Sequence, residues 1–338
     1  MNMSASAVPF GLSRRQILIG SAAIGLLGAM PRRVWADVPD LKGGSLRAAY
    51  FKGQELLSLT AAGLTDTPYK VAYSEFGAGN LIIQAINAGA IDIGGMSEIP
   101  PIFAATPGSG VELKLIAVAR GDVNNQVVLV PKDSSIRSIG DLKGKRVGYV
   151  RATTSHYYLI KMLGEQGLTF RDIEPINLSP ADGLAAFESG ALDAWAIYGY
   201  SIQLAIAGVG ARILKTALGY LSGNYVIGVH PSVLTDPLKH AVVADYLRRL
   251  QKAYRWREEN KDQWAEILSK AIQVSRSIVH EQLDNESQPY RLAPVDDAAI
   301  ESQQAVADTF TDAQLIPSPV KVAPLWDRSF NDVLSEAS

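Results

Sequence analysis

The chain has 338 residues, 47% of them apolar and 20% charged, a formal net charge of −2 and no cysteine. Disulfides, cysteine-ligated metals and cysteine nucleophiles are therefore excluded, and the charge balance argues against a nucleic-acid partner, which needs a basic surface. The length is enough for two lobes, each with its own core.

The first 36 residues read as an export signal. Ser13-Arg14-Arg15 precedes an apolar run from Ile17 to Met30 and a Val34-Trp35-Ala36 exit suited to a signal peptidase. The arginine pair is of the twin-arginine type, with Ile17 and Ile19 departing from the usual Phe and Lys. The alternative is an uncleaved membrane anchor, for which the run is short and rich in Gly and Ala. From Asp37 onward 28 basic residues face 34 acidic ones, a net charge of −6, and a periplasmic location is expected.

Alternating patterns then predict strands at 45–50, 69–74, 91–94 and 113–118, with helices near 54–64, 78–88 and 99–106. A second set follows, with strands at 126–131, 145–150, 174–178 and 192–198 and helices near 155–166 and 180–189. This alternation predicts an α/β protein with mostly parallel sheets. The phrase "QAINAGAIDIGG" (84–95) returns as "AAFESGALDAWA" (185–196), each with a glycine suited to end a helix and an aspartate before a buried strand. Two similarly built lobes are the simplest account: 37–122 as the first, 123–223 as the second, and 224–338 returning to the first with mainly helical structure after Pro231. Asp92 and Asp193 read as structural carboxylates that cap local backbone.

In open α/β sheets ligands gather at the carboxyl ends of the strands. Those ends are Phe51-Lys52, Gly79-Asn80, "GGMSE" (94–98), "RATTSH" (151–156) and "IYGY" (197–200). At 151–156 three hydroxyls, Thr153, Thr154 and Ser155, meet the start of a helix, whose unpaired N–H groups and dipole suit an oxyanion. An ordinary hydroxyl N-cap explains the same residues. "GGMSEIPPIF" repeats the design, with Ser97 and Glu98 ahead of two prolines that suit a first helical turn.

Three segments carry a family resemblance: "SEFGAGNLIIQAINAGAIDIGGMSEIPPIFA", "DSSIRSIGDLKGKRVGYVRATTSHYYLIKML" and "SPADGLAAFESGALDAWAIY". They resemble the aliphatic sulfonate and sulfate ester binding proteins of ABC importers, within the taurine, nitrate and thiamine-precursor binding group. The resemblance implies a two-lobed periplasmic binding protein fold of type II with the ligand cleft between the lobes. It also implies a small organic anion as ligand, an inner-membrane permease as partner, no cofactor and a monomer. Where the family commonly has Gln after the first strand, Gly-Asp-Thr before the prolines and Trp-Asp-Pro-Tyr after "DAWAI", this chain has Phe51, Ser97-Glu98-Ile99 and Tyr198-Gly199-Tyr200-Ser201. These changes favour a larger or aromatic organic group over taurine, unless the aromatics pack into the core.

The candidate ligand-binding residues are Phe51, Lys52, Asn80, Ser97, Glu98, Thr153, Thr154, Ser155, His156, Tyr198, Asn224 and Tyr225. Lys52 is either a cleft cation or a solvated side chain, and His156 either touches ligand or bonds a nearby carbonyl. No catalytic or metal residues are expected. Ser155 and His156 are neighbours on a helix and do not face one another, and His156, His230, His240 and His280 have no metal-ligand spacing. Desulfinases that share this fold look dependent on a cysteine. Taurine, nitrate or a thiamine-precursor pyrimidine as ligand, or an enzyme or sensor on the same scaffold, are the alternatives.

Overall fold

Residues 40–335 are described by a computed structural model; the expected signal segment lies outside the described residues. One lobe begins with β1 (Ser45–Tyr50), α1 (Glu55–Ala61), β2 (Lys70–Glu75), α2 (Gly79–Asn87), β3 (Ile93–Ser97), α3 (Pro100–Ala104) and β4 (Lys114–Arg120). The chain crosses at 121–125 into the other lobe. There it forms β5 (Gln126–Val130), β6 (Arg146–Tyr149), α4 (Thr154–Glu165), β7 (Glu174–Asn177), α5 (Pro180–Glu188), β8 (Ala194–Tyr198), α6 (Ser201–Val209) and β9 (Arg212–Thr216). It returns through 217–223 to β10 (Asn224–Val229), then α7 (Ser232–Thr235), α8 (Pro237–Glu259), α9 (Lys261–Ile272), α10 (Arg276–Asp284), β11 (Arg291–Ala293), α11 (Asp297–Asp312) and α12 (Asn331–Ser335).

The strands form a six-stranded sheet in the order β11-β4-β10-β3-β1-β2 and a five-stranded sheet in the order β7-β6-β8-β5-β9. Both are mixed, not mostly parallel as the alternation predicts. β1 runs parallel to β2 and β3, and β6 to β7 and β8, each joined through a covering helix. β5 and β10, which carry the chain into and out of the second lobe, lie antiparallel to their neighbours. They enter each sheet from the opposite end, which no pattern of helix and strand alternation reveals.

The cores follow from the apolar periodicity. In α4, Tyr158, Leu159, Met162 and Leu163 are all buried, an i, i+1, i+4, i+5 stripe facing the second sheet. Burying each such side chain is worth about 1.5–3 kcal/mol. The Tyr158 hydroxyl reaches the interior strands of that sheet, donating to Val127 O at 2.7 Å, with Ile197 O at 3.1 Å, so the helix is keyed to β5 and β8 together.

The repeated phrase has a physical counterpart. Asp92 accepts from Arg47 N (2.9 Å), Nε (3.0 Å) and Nη2 (2.7 Å), and Asp193 accepts from Arg146 N (2.9 Å), Nε (3.1 Å) and Nη2 (2.8 Å). Each arginine also donates to the carbonyl of the helix-ending glycine, Gly89 or Gly190, and both glycines have positive φ, 65° and 74°. The same clip thus fastens helix end to strand start once in each lobe.

Two crossing segments and three helices hold the lobes together. Gly121 N donates to Gly223 O at 3.0 Å, and the Asp122 carboxylate accepts from the Asn124, Asn125 and Ser287 N–H groups at 2.8, 2.9 and 2.8 Å. From α11, Phe310 packs against His156 and Tyr157 of α4, with ring centroids 5.3 and 5.8 Å apart. Leu204 of α6 packs into the cluster around Trp264 and Leu283 of α9 and α10. The helices after Pro231 therefore brace both lobes.

Candidate ligand cleft

The carboxyl ends of β1, β2, β3, β6, β7 and β8 converge on one cleft of about 550 Å³. Phe51, Lys52, Asn80, Ser97, Thr153, Tyr198 and Tyr225 all line it, so seven of the twelve predicted residues meet there. Such a volume suits a small organic molecule.

Its most distinctive part is the start of α4. Thr153 is the N-cap, yet its hydroxyl caps nothing. Instead Thr153 Oγ1 donates to Val150 O at 2.7 Å and lies 3.0 Å from Ser155 Oγ, which accepts from Val150 N at 3.1 Å. The hydroxyls thus stabilise the turn, while the first-turn amides of this 12-residue helix receive no side-chain cap. Ala152, just before, holds a φ of 60°, a left-handed conformation that costs about 1 kcal/mol or more in a residue with a Cβ. By contrast α8 and α11 are capped conventionally by Asp236 and Asp296.

Facing this turn is the Tyr198 hydroxyl, buried and with no hydrogen-bond partner among the described residues. Burial raises the Tyr198 pKa, with the nearby Thr153 hydroxyl pulling the other way, so the phenol keeps its proton. The side-chain oxygen of Asn80, in the first turn of α2, is likewise buried without a partner, and α2 also lacks a side-chain cap. Lys52 lies at the rim with Nζ 5.5 Å from the centre of the Tyr200 ring. Arg151, which also lines the cleft, is exposed.

Five predicted residues are not on the cleft wall. Thr154 and Ser155 are buried behind the turn, because its tight geometry needs the Ser155 hydroxyl inside. His156 is buried among Phe103, Tyr149, Phe170 and Phe310, and its Nδ1 accepts from Ala152 N at 3.4 Å. Burial in that aromatic nest, with the Arg151 charge nearby, lowers the His156 pKa to about 4, so the ring is neutral at pH 7.

Glu98 and Asn224 sit behind Ser97 and Tyr225. Ser97, the last residue of β3, lines the cleft, and the Glu98 carboxylate that follows it points away toward the return segment and α11, where it accepts from Ser222 Oγ at 2.6 Å and Ser302 Oγ at 3.2 Å. Burial raises its pKa to about 7, against the lowering effect of Ser222, Ser302 and Asn224.

The cleft also contains Glu55, Gln126, Tyr254 and Tyr290, none of them singled out in the sequence. Glu55 carried a signal, an acid in the first turn after a strand end. Tyr254 and Tyr290 carried none, since they arrive from α8 and from the segment before β11.

The architecture is that of a two-lobed α/β binding protein, two mixed sheets joined by paired crossings around a ligand-sized cleft. The family model described as NMT1/THI5 like matches residues 67–259, and the chain belongs to this family. It is 30% identical over 304 residues to an aliphatic sulfonates-binding protein of Escherichia coli (strain K12), covering 88% of this chain and 93% of that one. Among solved structures, it is similar to the alkanesulfonate-binding protein SsuA of Xanthomonas axonopodis pv. citri bound to MOPS, with a TM-score of 0.77 and 30% identity over 85% of this chain and 99% of that one. It is also similar to the periplasmic aliphatic sulphonate binding protein SsuA of Escherichia coli, with a TM-score of 0.72 and 29% identity over 84% of this chain and 92% of that one.

Proposed function

We propose that this protein is the solute-binding component of an ABC importer and that it captures an organosulfur oxyanion, an alkyl or aryl sulfonate or a sulfate ester, for delivery to a membrane permease. The observation that carries the reading is the buried, unpartnered Tyr198 hydroxyl beside the uncapped start of α4. A sulfonyl group is a weak base and does not need a full counter-charge; neutral donors with the right geometry suffice. In this reading the Tyr198 hydroxyl, the Asn80 side-chain N–H and the α4 amides hold the oxygens, Thr153 holds the turn that presents those amides, Lys52 supplies long-range attraction, and Phe51, Tyr200 and Tyr225 pack on the organic part. The likeness to proteins named for sulfonate binding supports it.

Residues 1–36 are read as a twin-arginine export signal that places a monomer in the periplasm. Catalysis is no part of the reading: the chain has no cysteine, and the Ser155 hydroxyl is committed to backbone.

Thermal melting of residues 37–338 tests the assignment, against an aryl sulfate ester, a long alkanesulfonate, taurine, inorganic sulfate and a thiamine-type pyrimidine. A ligand at about 100 times its Kd adds about 2.7 kcal/mol to the native state. The expected result is a rise with the aryl and alkyl oxyanions and none with inorganic sulfate. A rise with the pyrimidine alone would replace the oxyanion reading with a cationic-ligand one.

A further inference from the structure

The oxyanion reading accounts for the donors at one side of the cleft and leaves two buried acceptors at its floor unexplained. Gln126, the first residue of β5, is 3% exposed and lines the cleft. Its Nε2 donates to the Tyr225 hydroxyl at 2.7 Å, and that hydroxyl donates in turn to Asp122 O at 2.7 Å. This relay fixes which way the amide points, because the phenol proton is already committed and the phenol oxygen must receive an N–H. Gln126 Oε1 is then a buried acceptor without a donor among the described residues. An acceptor in that state costs about 1–3 kcal/mol, so its retention calls for a partner.

Glu55, the first residue of α1, is the second acceptor. It is 8% exposed, its Oε2 accepts from Phe51 N at 3.1 Å, and its Oε1 fills the space above Gly95, where a Cβ would come within 2.9 Å of it. Any larger residue at Gly95 would displace the carboxylate from the cleft floor. A row of tyrosines joins the two acceptors: Tyr225 and Tyr290 have ring centroids 5.8 Å apart, and Tyr290 and Tyr254 6.0 Å apart. Burial raises the Glu55 pKa, opposed by the N–H groups of Phe51 and Glu55 and by the Arg257 charge. Either protonation state leaves carboxyl lone pairs to accept a hydrogen bond.

We infer that the floor of the cleft, Glu55 and Gln126 flanking the tyrosine row, is a second polar subsite that takes a hydrogen-bond donor, a hydroxyl or a protonated amine, carried on the ligand's organic group. This rests on the oxyanion reading, which supplies the other end. The cleft then selects bipolar molecules, an oxyanion head and a donor-bearing tail separated by an apolar spacer. A simple alkyl chain would leave both acceptors dry and unpaired.

Calorimetry with three series of alkanesulfonates of two to six carbons, ending in methyl, hydroxyl or amine and matched in heavy-atom count, tests this at pH 7. At the best-fitting length a donor-ended compound should bind at least tenfold more tightly than its methyl-ended match. Glu55→Leu should abolish that margin while leaving the methyl-ended series at least as tight. Glu55→Gln separates the two donors, since an ammonium preference collapses with the loss of charge and a hydroxyl preference survives. Equal affinity of methyl-ended and donor-ended compounds at every length in the unmodified protein would overturn the subsite while leaving the oxyanion reading intact. Silence of all three series would remove the oxyanion reading and this inference with it.

Discussion

Glu98 Oε1 lies 2.6 Å from Ser222 Oγ, which binds the carboxylate that follows β3 to the segment by which the chain returns from the second lobe. The bond places a titratable group at the junction of the lobes, and its consequence is a pH-dependent stability. Glu98 has a folded pKa of about 7 against an ordinary 4.5. The folded state therefore holds a proton that the unfolded state has released, and this contribution is complete below pH 4.5 and is lost as pH rises through about 7. Glu98→Gln, neutral throughout, should gain up to about 3 kcal/mol over the unmodified protein at pH 8 and little at pH 4.5, measured by urea unfolding at both. A difference independent of pH would show that Glu98 does not titrate in this range.

His156 predicts the opposite slope. Its folded pKa of about 4 lies below the ordinary 6.5, so its contribution is present above pH 6.5 and is lost as pH falls through about 4. His156→Phe should flatten the acid limb of the stability curve between pH 4 and 6.5. NMR titration of the ring would check the cause directly.

The two arginine clips should differ in worth. The Asp92 side chain is 5% exposed and Asp193 32%, while the arginines are about equally open at 43% and 40%. Asp92→Asn leaves four donors, three from Arg47 and the Lys239 ammonium at 3.4 Å, facing a weaker acceptor in a dry site and should cost about 2 kcal/mol; Asp193→Asn, partly hydrated and facing the three donors of Arg146, should cost about half that. Equal losses in denaturant midpoints would mean that burial does not set the difference.

At the cleft, Tyr198→Phe removes a hydroxyl that has no hydrogen-bond partner among the described residues. Oxyanion affinity should fall about tenfold with the melting temperature unchanged or slightly raised. Ser155→Ala should behave in the reverse manner, lowering the melting temperature because Val150 N loses its acceptor. Calorimetry and melting together separate the two effects.

Lys52→Gln should weaken oxyanion binding severalfold and flatten its dependence on salt between 20 and 200 mM, since a half-buried charge at the rim still acts through a field that salt screens. The same affinity and salt slope in both proteins would leave Lys52 to its contact with Tyr200.

Much of this was legible in the sequence because the signals are local. Strand ends, the glycines at 89 and 190 and the hydroxyl turn at 153–155 are each set by neighbours within a few residues, and the structure places them as their spacing predicts. Direction within a local element was harder. Ser97 and Glu98 are adjacent, and only the point at which β3 ends and the chain bends toward α3 decides which faces the cleft. Glu55 and Gln126 were missed for a different reason: their meaning depends on Gly95, Tyr225 and Asp122, contacts made only when distant segments come together.

The arginine clips sit at the amino ends of β1 and β6, whereas the cleft residues of the parallel strands sit toward or beyond their carboxyl ends, joined by residues from the amino ends of the antiparallel β5 and β10. Folding and recognition therefore answer to separate sets of positions in each lobe. Substitutions such as Phe51 or Tyr198 to other side chains can retune what is carried without drawing on the contacts that keep helix and strand in register. A scaffold partitioned in this way can change its cargo over evolutionary time while its frame is inherited unaltered.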